Sequence, residues 1–397
     1  MLDDTISARS LTECGVCSHG ELETLIELPQ FPLTGIYVTK KVPDMPNGHD
    51  QKLRFCPACG HAQLKYALDP TFLYGDHYLH RSSASHLTPA AVDFIADYLE
   101  VLRPGQRFKL AVEIGCNEMV LLDRVLKRSE SAIGIDPLWR DTMPEEKPGR
   151  RVIGKFLEEV DLYSELGGRP DLIISTHNLE HIVDAGRQLA RLMEIASDDA
   201  LFLMEVPDFD LMVKNLRFDQ VFHQHVHYFG LTSFVEAIER AGGHYLTHVY
   251  NYRNWGGTVV VAFTKSTNSA TRPARQPRTV AGIKQNFQLF RDQLAGTSKM
   301  LQGMSGEIWG YGAAQMLPTL AYHMETDFGF LAGILDDCPK RTGLTYPELD
   351  VLIHKPDEKT NLGESVAVIT ALDAVRPIMN RLREFNPRFV VVPSKVY

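Results

Sequence analysis

Two short segments of the chain concentrate side chains that can move protons. Residues 175–181 read Ser-Thr-His177-Asn178-Leu-Glu-His181, directly after a β-branched run that ends at Ile174. In an open α/β sheet the ligand crevice lies at the carboxyl ends of the strands, so polar groups placed there face it. Helix capping by Thr176 or Asn178 accounts for one polar residue, not for two histidines. Residues 218–229 read Phe-Asp219-Gln-Val-Phe-His223-Gln224-His225-Val-His227-Tyr-Phe. Alternation in an extended stretch predicts that His223, His225 and His227 share one face. Such a row suits a metal, with Asp219 as the carboxylate at suitable spacing. It also suits general-base work, because an imidazole near its ordinary pKa takes and returns protons at neutral pH. A satisfied, buried imidazole is the bland alternative for any one of them.

A third segment reads Ala111-Val-Glu113-Ile-Gly115-Cys-Asn117-Glu, and Gly134-Ile-Asp136-Pro follows it. This has the form of a strand, a turn, a helix starting in the apolar run 119–122, and a second strand at 132–135. The missing Cβ of Gly115 lets a ligand come close to the backbone. Asp136 ends the second strand, where a carboxylate can take both hydroxyls of a ribose. A dinucleotide turn needs Gly-x-Gly-x-x-Gly, and only one of those glycines is present. Pyrophosphate therefore fits poorly, and a phosphate-free adenosine such as S-adenosylmethionine (SAM) fits better. The cofactor set read from these residues is Glu113, Gly115, Asn117 and Asp136, with Phe156 near the adenine and His177 and Asn178 at the adjacent strand end. A buried strand-turn-helix with no ligand is the competing reading.

Four of the six cysteines fall as Cys14-x-x-Cys17 and Cys56-x-x-Cys59. Two thiolates in a tight turn hold two corners of a tetrahedron, and two such turns complete an S4 zinc site. Four sulfur ligands leave no open position for water, so the zinc is expected to be structural. Disulfides are the alternative, disfavoured in a reducing compartment. Cys116 and Cys338 are expected to pack.

The elements that must position these groups fall into an α/β pattern. Residues 1–70 are expected to form a small zinc-binding domain, too poor in apolar periodicity to fold without its metal. Residues 71–106 make a connecting segment and a helix over 89–102. A SAM-binding, Rossmann-like domain is expected over 107–265, with further strands at 152–153, 171–174, 201–205 and 258–263. After a Ser/Thr/Pro-rich linker, a second Rossmann-like α/β domain occupies 280–397, with strands at 333–336, 366–370 and 389–392. Its turn, Gly310-x-Gly312-x-x-Gln315, lacks a third glycine and is a weak dinucleotide signal. The nucleotide of a substrate can still sit there, with Asp336 or Asp337 near its ribose. The net charge is −9 over 397 residues. That argues against a nucleic-acid partner, which needs a basic stripe. No apolar run reaches membrane-span length and the first residues do not form a signal peptide, so a cytoplasmic location without a membrane partner is expected.

With these motifs in place, nearly the whole chain resembles the three-domain, zinc-binding sugar C-methyltransferases. Cys14, Cys17, Cys56 and Cys59 match that family's zinc site, and Glu113-Ile-Gly-Cys-Asn117 resembles its cofactor turn. His77-Tyr78-Leu-His80-Arg-Ser-Ser resembles its Tyr-x-Tyr-x-Ser-Ser segment, and Leu179-Glu180-His181 its Leu-Glu-His. Residues 218–229 resemble its Phe-Asp-x-x-Tyr-His-Glu-His-x-x-Tyr-Phe run, and Tyr311-Gly-Ala-Ala314 the start of its C-terminal domain. The resemblance implies SAM-dependent methylation of a carbon next to a ketone in a nucleotide-linked deoxysugar, through an enolate, as in antibiotic biosynthesis. It implies His225 as the base, with Tyr78 and His181 orienting the substrate or holding the enolate charge, and His223 and Gln224 beside them.

The departures are specific. His223-Gln224-His225 replaces His-Glu-His, Glu118-Met119 replaces the usual Asp-Gly, and His80 and Trp255 replace Tyr and His. Gln224 cannot take a proton, but it can hydrogen-bond the ketone or a neighbouring imidazole. These changes leave open a diversion to C-, N- or O-methylation of another small metabolite. A cofactor-binding module without chemistry is the third reading, and titratable groups crowded into a crevice count against it.

Overall fold

The β-branched and apolar runs of the middle of the chain become a seven-stranded sheet. The computed structural model describes residues 6–39, 48–75, 81–82, 85, 87–142, 144–253, 256–267, 270–274, 278–358 and 361–394. Tyr78, His80 and Trp255 lie outside these residues. The strand order is His244–Asn251, Thr258–Thr264, Leu201–Pro207, Leu172–Thr176, Phe108–Ile114, Ser129–Ile135 and Arg150–Ile153. All neighbours run parallel except Thr258–Thr264, which is antiparallel to both of its partners. Alternating side chains divide between two cores, as the two-residue period requires. Val112, Ile114, Ile133, Ile135 and Ile173 face one cluster, with residues of the Ala185–Ile195 and Leu231–Arg240 helices. Ala111, Ala132, Leu172 and Ile174 face the other, with the Thr88–Leu102 and Val120–Leu126 helices. The His244–Asn251 strand was missed in the sequence because its burial is broken, six of its eight residues being partly exposed.

The C-terminal part forms a five-stranded parallel sheet in the order Ile353–His354, Gly333–Leu335, Ile308–Tyr311, Val366–Ile369 and Phe389–Val391. In both sheets the first strand of the unit lies centrally and the chain reverses its direction of travel beside it. Each sheet therefore has a switch-point crevice outside the strand ends. The Gly115 turn opens one and the Gly312 turn opens the other. Among the described residues no helix is long and apolar enough to cross a membrane.

The N-terminal part builds a four-stranded antiparallel sheet, and one of its strands is borrowed. Its order is His227–Tyr228, Ala62–Leu64, Gly48–Phe55 and Glu23–Pro32, so the edge strand comes from a segment lying between the Leu201–Pro207 and His244–Asn251 strands of the seven-stranded sheet. Its apolar face does not stand alone either. Leu25, Ile26, Leu28, Phe31, Leu53 and Phe55 share one core with the Val280–Gln302 and Leu317–Met324 helices and with Phe209, Phe218 and Phe222. The thin apolar pattern of residues 1–70 thus has a physical answer besides the metal: the missing core is supplied by the other two parts of the chain.

The zinc ligands meet where the two cysteine turns face each other. Cys14 and Cys59 Sγ lie 3.5 Å apart, as do Cys17 and Cys56 Sγ, and all four cysteines are free thiols. A disulfide needs about 2.05 Å, whereas Zn–S bonds of about 2.3 Å in a tetrahedron space the sulfurs by about 3.8 Å. Each turn is closed by a backbone bond, Ser18 N–H to Cys14 O and Gly60 N–H to Cys56 O. Gly60 takes φ 79°, a conformation that costs glycine nothing. The residues fit a structural zinc ion. Elemental analysis should find about one zinc per chain, held with no added metal. Cys56→Ser should lower the melting temperature by roughly 10 °C in a thermal scan while leaving S-adenosylhomocysteine affinity nearly unchanged.

Candidate functional site

One cavity of about 1540 Å³ runs from the Gly115 turn to the Gly312 turn. Its wall includes Glu113, Gly115, Asn117, Asp136, Phe156, His177 and Asn178, so the structure brings the whole sequence-predicted cofactor set together. Gly115 has φ 75°, and a Cβ there would lie 2.7 Å from Asn178 Nδ2. Only glycine fits. Asn117 turns the chain next, its Oδ1 accepting from Ser82 N and Glu118 N. Met119, where the resembled family has glycine, also takes a left-handed φ of 65°; that costs an L-residue about 1–2 kcal/mol, offset here by burial of its side chain.

Asp136 ends the second strand with each oxygen already holding one N–H. Oδ2 accepts from Asn117 N and Oδ1 from Leu138 N, both at 2.8 Å. Burial pushes its carboxyl above the usual range, against the pull of those two bonds. A carboxylate oxygen has further lone pairs, so both remain able to receive ribose hydroxyls. Two buried acceptors beside it lack a hydrogen-bond partner among the described residues, Glu113 Oε2 and Asn178 Oδ1. Orphaned acceptors in a cavity call for donors, and the ammonium and ribose of SAM carry donors. These residues fit the cofactor.

The same device recurs at the other end of the cavity. Asp336 ends the second strand of the C-terminal sheet, with Oδ2 accepting from Ala313 N at 2.7 Å and Oδ1 from Cys338 N at 2.9 Å. Gly312 has φ 98°, and a Cβ there would lie 2.5 Å from that of Ala371. Tyr311, Asp337, Arg341 and Arg381 complete this end of the wall.

Between the two turns stand His177, His181 and His225. His181 Nδ1 lies 2.9 Å from Gln224 O and 2.8 Å from Tyr74 Oη. The carbonyl can only accept, so Nδ1 carries the proton and Nε2 is the basic nitrogen. His225 packs on Phe222 at 4.1 Å between ring centroids and on His181 at 4.7 Å. Burial, helped by His181 and His177, holds its pKa well below the usual value, and burial lowers His181 as well. His177 goes the other way. Burial opposes its charge, but the Glu205 and Glu180 carboxylates outweigh that and raise its pKa.

The alternating row of histidines is not present. Only His227 and Tyr228 are extended; residues 218–220 form a 3-10 turn, and His225 N–H closes on Phe222 O. His223 points away from the cavity, where Nε2 bonds Phe31 O at 2.9 Å, and burial drops its pKa to about 4. It has no access to substrate. His227 bonds His61 and Val183 O near the zinc knuckles. Asp219, the carboxylate considered for a metal, is instead held by Arg217 at 2.8 and 2.9 Å. Gln224 also differs from expectation. Its Oε1 accepts from Thr34 Oγ1 at 2.8 Å and its Nε2 donates to Thr34 O at 2.9 Å. The amide oxygen and one amide N–H are held by Thr34 of the N-terminal domain, and the backbone carbonyl meets the His181 imidazole.

Sequence reasoning passed over Tyr74 and Glu180. Tyr74 lay in the same aromatic-rich segment as Tyr78, with nothing in the pattern to choose between them. Glu180 sat inside a noted motif, but its burial among three imidazoles appears only in three dimensions. Among the described residues, Glu180, His181 and His225 also form a group with metal-ligand spacing.

Two outcomes follow for these residues. Asp136→Ala should weaken S-adenosylhomocysteine binding by about 1–3 kcal/mol in calorimetry, the loss for a buried charged acceptor. Gln224→Glu should destabilise the fold by about 1–3 kcal/mol at neutral pH, because a carboxylate oxygen then faces Thr34 O. Only the protonated acid can donate there, so its folded pKa is raised above the unfolded value of about 4.3. The deficit should be small below about pH 4 and grow as pH rises toward that folded pKa, as followed by urea unfolding against pH.

Comparison with known proteins gives the same reading in coarser form. Residues 84–248 match a methyltransferase domain family, and residues 242–393 match the C-methyltransferase C-terminal domain family. The chain is 26% identical over 275 residues to the C-methyltransferase NovU of Streptomyces niveus. That match spans 67% of this chain and 64% of the relative. Solved structures with some likeness include a putative SAM-dependent methyltransferase from Listeria monocytogenes, at 11% identity and TM-score 0.35 over 45% of this chain and 98% of that one. Another is the N-methyltransferase NodS of Bradyrhizobium japonicum WM9, at 9% identity and TM-score 0.35 over 45% of this chain and 88% of that one. The two methyltransferase family models, matched over residues 84–248 and 242–393, support SAM-dependent methyltransferase activity.

Proposed function

We propose that the protein is a SAM-dependent C-methyltransferase acting on the carbon next to a ketone in a nucleotide-linked deoxysugar, in the manner of antibiotic biosynthesis. The observation that carries this reading is the single cavity with a carboxylate-bearing turn at each end and imidazoles between. One turn suits SAM. The second, with Asp336 held as Asp136 is held, suits the ribose of a substrate nucleotide, and Arg341 and Arg381 suit its phosphates. The similarity to a relative called a C-methyltransferase supports carbon as the atom attacked.

SAM supplies an electrophilic methyl group on a sulfonium. The protein positions the ketosugar against it, removes a proton and stabilises the charge that develops on oxygen. His225 is the proposed base: it is neutral at pH 7, it lines the cavity, and its neighbour His181 is held in one tautomer by Gln224 O. His181, backed by Tyr74, orients the ketone or its enolate, and Tyr78 is proposed alongside it from the sequence. A low pKa makes His225 a weak base, which suits a substrate proton more acidic than that of a simple ketone. That feature also favours a second reading, the same architecture diverted to another small metabolite.

Incubation with labelled SAM and a panel of nucleoside-diphosphate ketosugars and other metabolites, followed by mass spectrometry, should yield a product heavier by one methyl group from a ketosugar. Label appearing only in a different metabolite class would select the second reading. His225→Ala should lower turnover by about two to four orders of magnitude, the scale of a positioned base, with little change in S-adenosylhomocysteine affinity. Near-normal turnover in that variant would refute the assignment.

A further inference from the structure

Glu180 sits in the 3-10 turn Leu179–His181 and is 1% exposed, behind the histidines that form the cavity wall. Neither of its carboxylate oxygens has a hydrogen-bond partner among the described residues. A buried carboxylate is costly unless a cation or donors meet it. What faces it is imidazole on two sides. Its Oε1 lies 3.7 Å from His177 Nδ1 and 3.9 Å from His225 Nε2. On the far side of His177, Nε2 lies 3.9 Å from Glu205 Oε1. The four side chains form a row, Glu205, His177, Glu180, His225, with carboxylate and imidazole alternating; Glu180 alone lies behind the cavity wall that the other three line.

We propose that Glu180 is a positioning residue that orients His225 and receives the positive charge His225 acquires when it deprotonates the substrate. The proposal rests on the reading of His225 as the base. The charge count supports it. The row sets two carboxylates against one imidazole, His177, whose charged form they favour. Breaking the substrate C–H bond sends its proton to His225 and leaves its electron pair in the enolate. The new imidazolium is the second cation that the row lacks. The 3.9 Å between His225 Nε2 and Glu180 Oε1 is too long for a hydrogen bond, and a charge on His225 turns that contact into an ion pair. Other titratable groups around the row are His181 from the same turn, His227 and Tyr228 from the 218–229 segment, Asp184 beyond the turn, and Asp373 of the C-terminal part, which Arg217 holds at 2.8 Å. Gln224 does not take this part, because its side chain is spent on Thr34. The resembled family carries a glutamate at both positions, so Glu180 is the one that remains in this chain.

The test uses the full-length protein saturated with S-adenosylhomocysteine. Imidazole nitrogens of His177, His181 and His225 are followed by NMR against pH, in wild type, Glu180→Gln and Glu180→Asp. Exchange of solvent deuterium into a nucleoside-diphosphate 4-keto-6-deoxyhexose is measured in the same samples. In Glu180→Gln the His225 titration midpoint should fall by about one pH unit, and exchange should slow about tenfold to a hundredfold. Glu180→Asp should recover part of both effects, and it carries the test alone if the glutamine variant does not fold. An unchanged His225 titration with slower exchange would reduce Glu180 to a structural role and overturn the proposal. So would a second divalent metal in the wild-type protein that is lost in Glu180→Gln, which would make the cluster a metal site. His225→Ala separates the two layers: if that variant still exchanges deuterium at the wild-type rate, the base assignment falls first. If it does not and Glu180→Gln is normal, only the present inference fails.

Discussion

Residues 217–229 are gripped by all three parts of the chain at once, and the shape of the cavity depends on that grip. Arg217, 1% exposed, holds Asp219 through two nitrogens and reaches Asp373 of the C-terminal part at 2.8 Å. His223 and Gln224 bond the N-terminal backbone at Phe31 and Thr34. His227 and Tyr228 then run beside Gln63 and Ala62 as the edge strand of the zinc-bound sheet. Between these anchors His225 has no freedom to leave the cavity wall. A buried ion pair of this kind adds little net stability against an apolar replacement, yet breaking it is costly. Its value here lies in fixing geometry: a histidine placed by three anchored neighbours needs no reorganisation when substrate arrives.

Under the proposed function, that arrangement gives the zinc an indirect part in the chemistry. The metal fastens the two knuckles, the knuckles fasten the sheet, and the sheet presents Thr34 to Gln224. The Gln224 carbonyl in turn fixes the tautomer of His181. A site built in the middle sheet is thus braced by a domain that lends Leu68 and Pro70 to the cavity wall while its cysteine knuckles lie outside that wall. The shared core of Phe31, Phe218, Phe290 and Leu317 explains why such coupling is rigid: close-packed apolar contacts transmit small displacements and do not absorb them.

Much of this was legible in the sequence because the relevant signals are local. Cysteine spacing specifies a tetrahedron within two turns, and Glu113-Ile-Gly115 with Asp136 specifies a strand-turn-strand crevice within one βαβ unit. Strand positions were readable because the middle and C-terminal sheets bury both faces, which turns each strand into a continuous apolar run. The misread residues of the 223–227 segment share one cause. His223, His225 and His227 alternate as a strand would, but hydrogen-bond demands of Phe31 and Thr34 far away in sequence bend the segment and send each ring to a different neighbour. Gln224 reads as a lost carboxylate in its motif, and only the fold shows its amide matched to a peptide group and a second carboxylate, Glu180, behind the same histidine. Tertiary partners decide such residues, and a single sequence does not name them.

The central claim is that SAM and a ketosugar meet in one cavity and that the new bond is carbon to carbon. The most direct measurement is carbon NMR of the product formed from SAM bearing a ¹³C methyl and a uniformly ¹³C-labelled nucleoside-diphosphate ketosugar. The account predicts a one-bond carbon–carbon coupling between the transferred methyl and the ring carbon beside the ketone. A methyl signal without that coupling, at the shift of a methyl on oxygen or nitrogen, would contradict it.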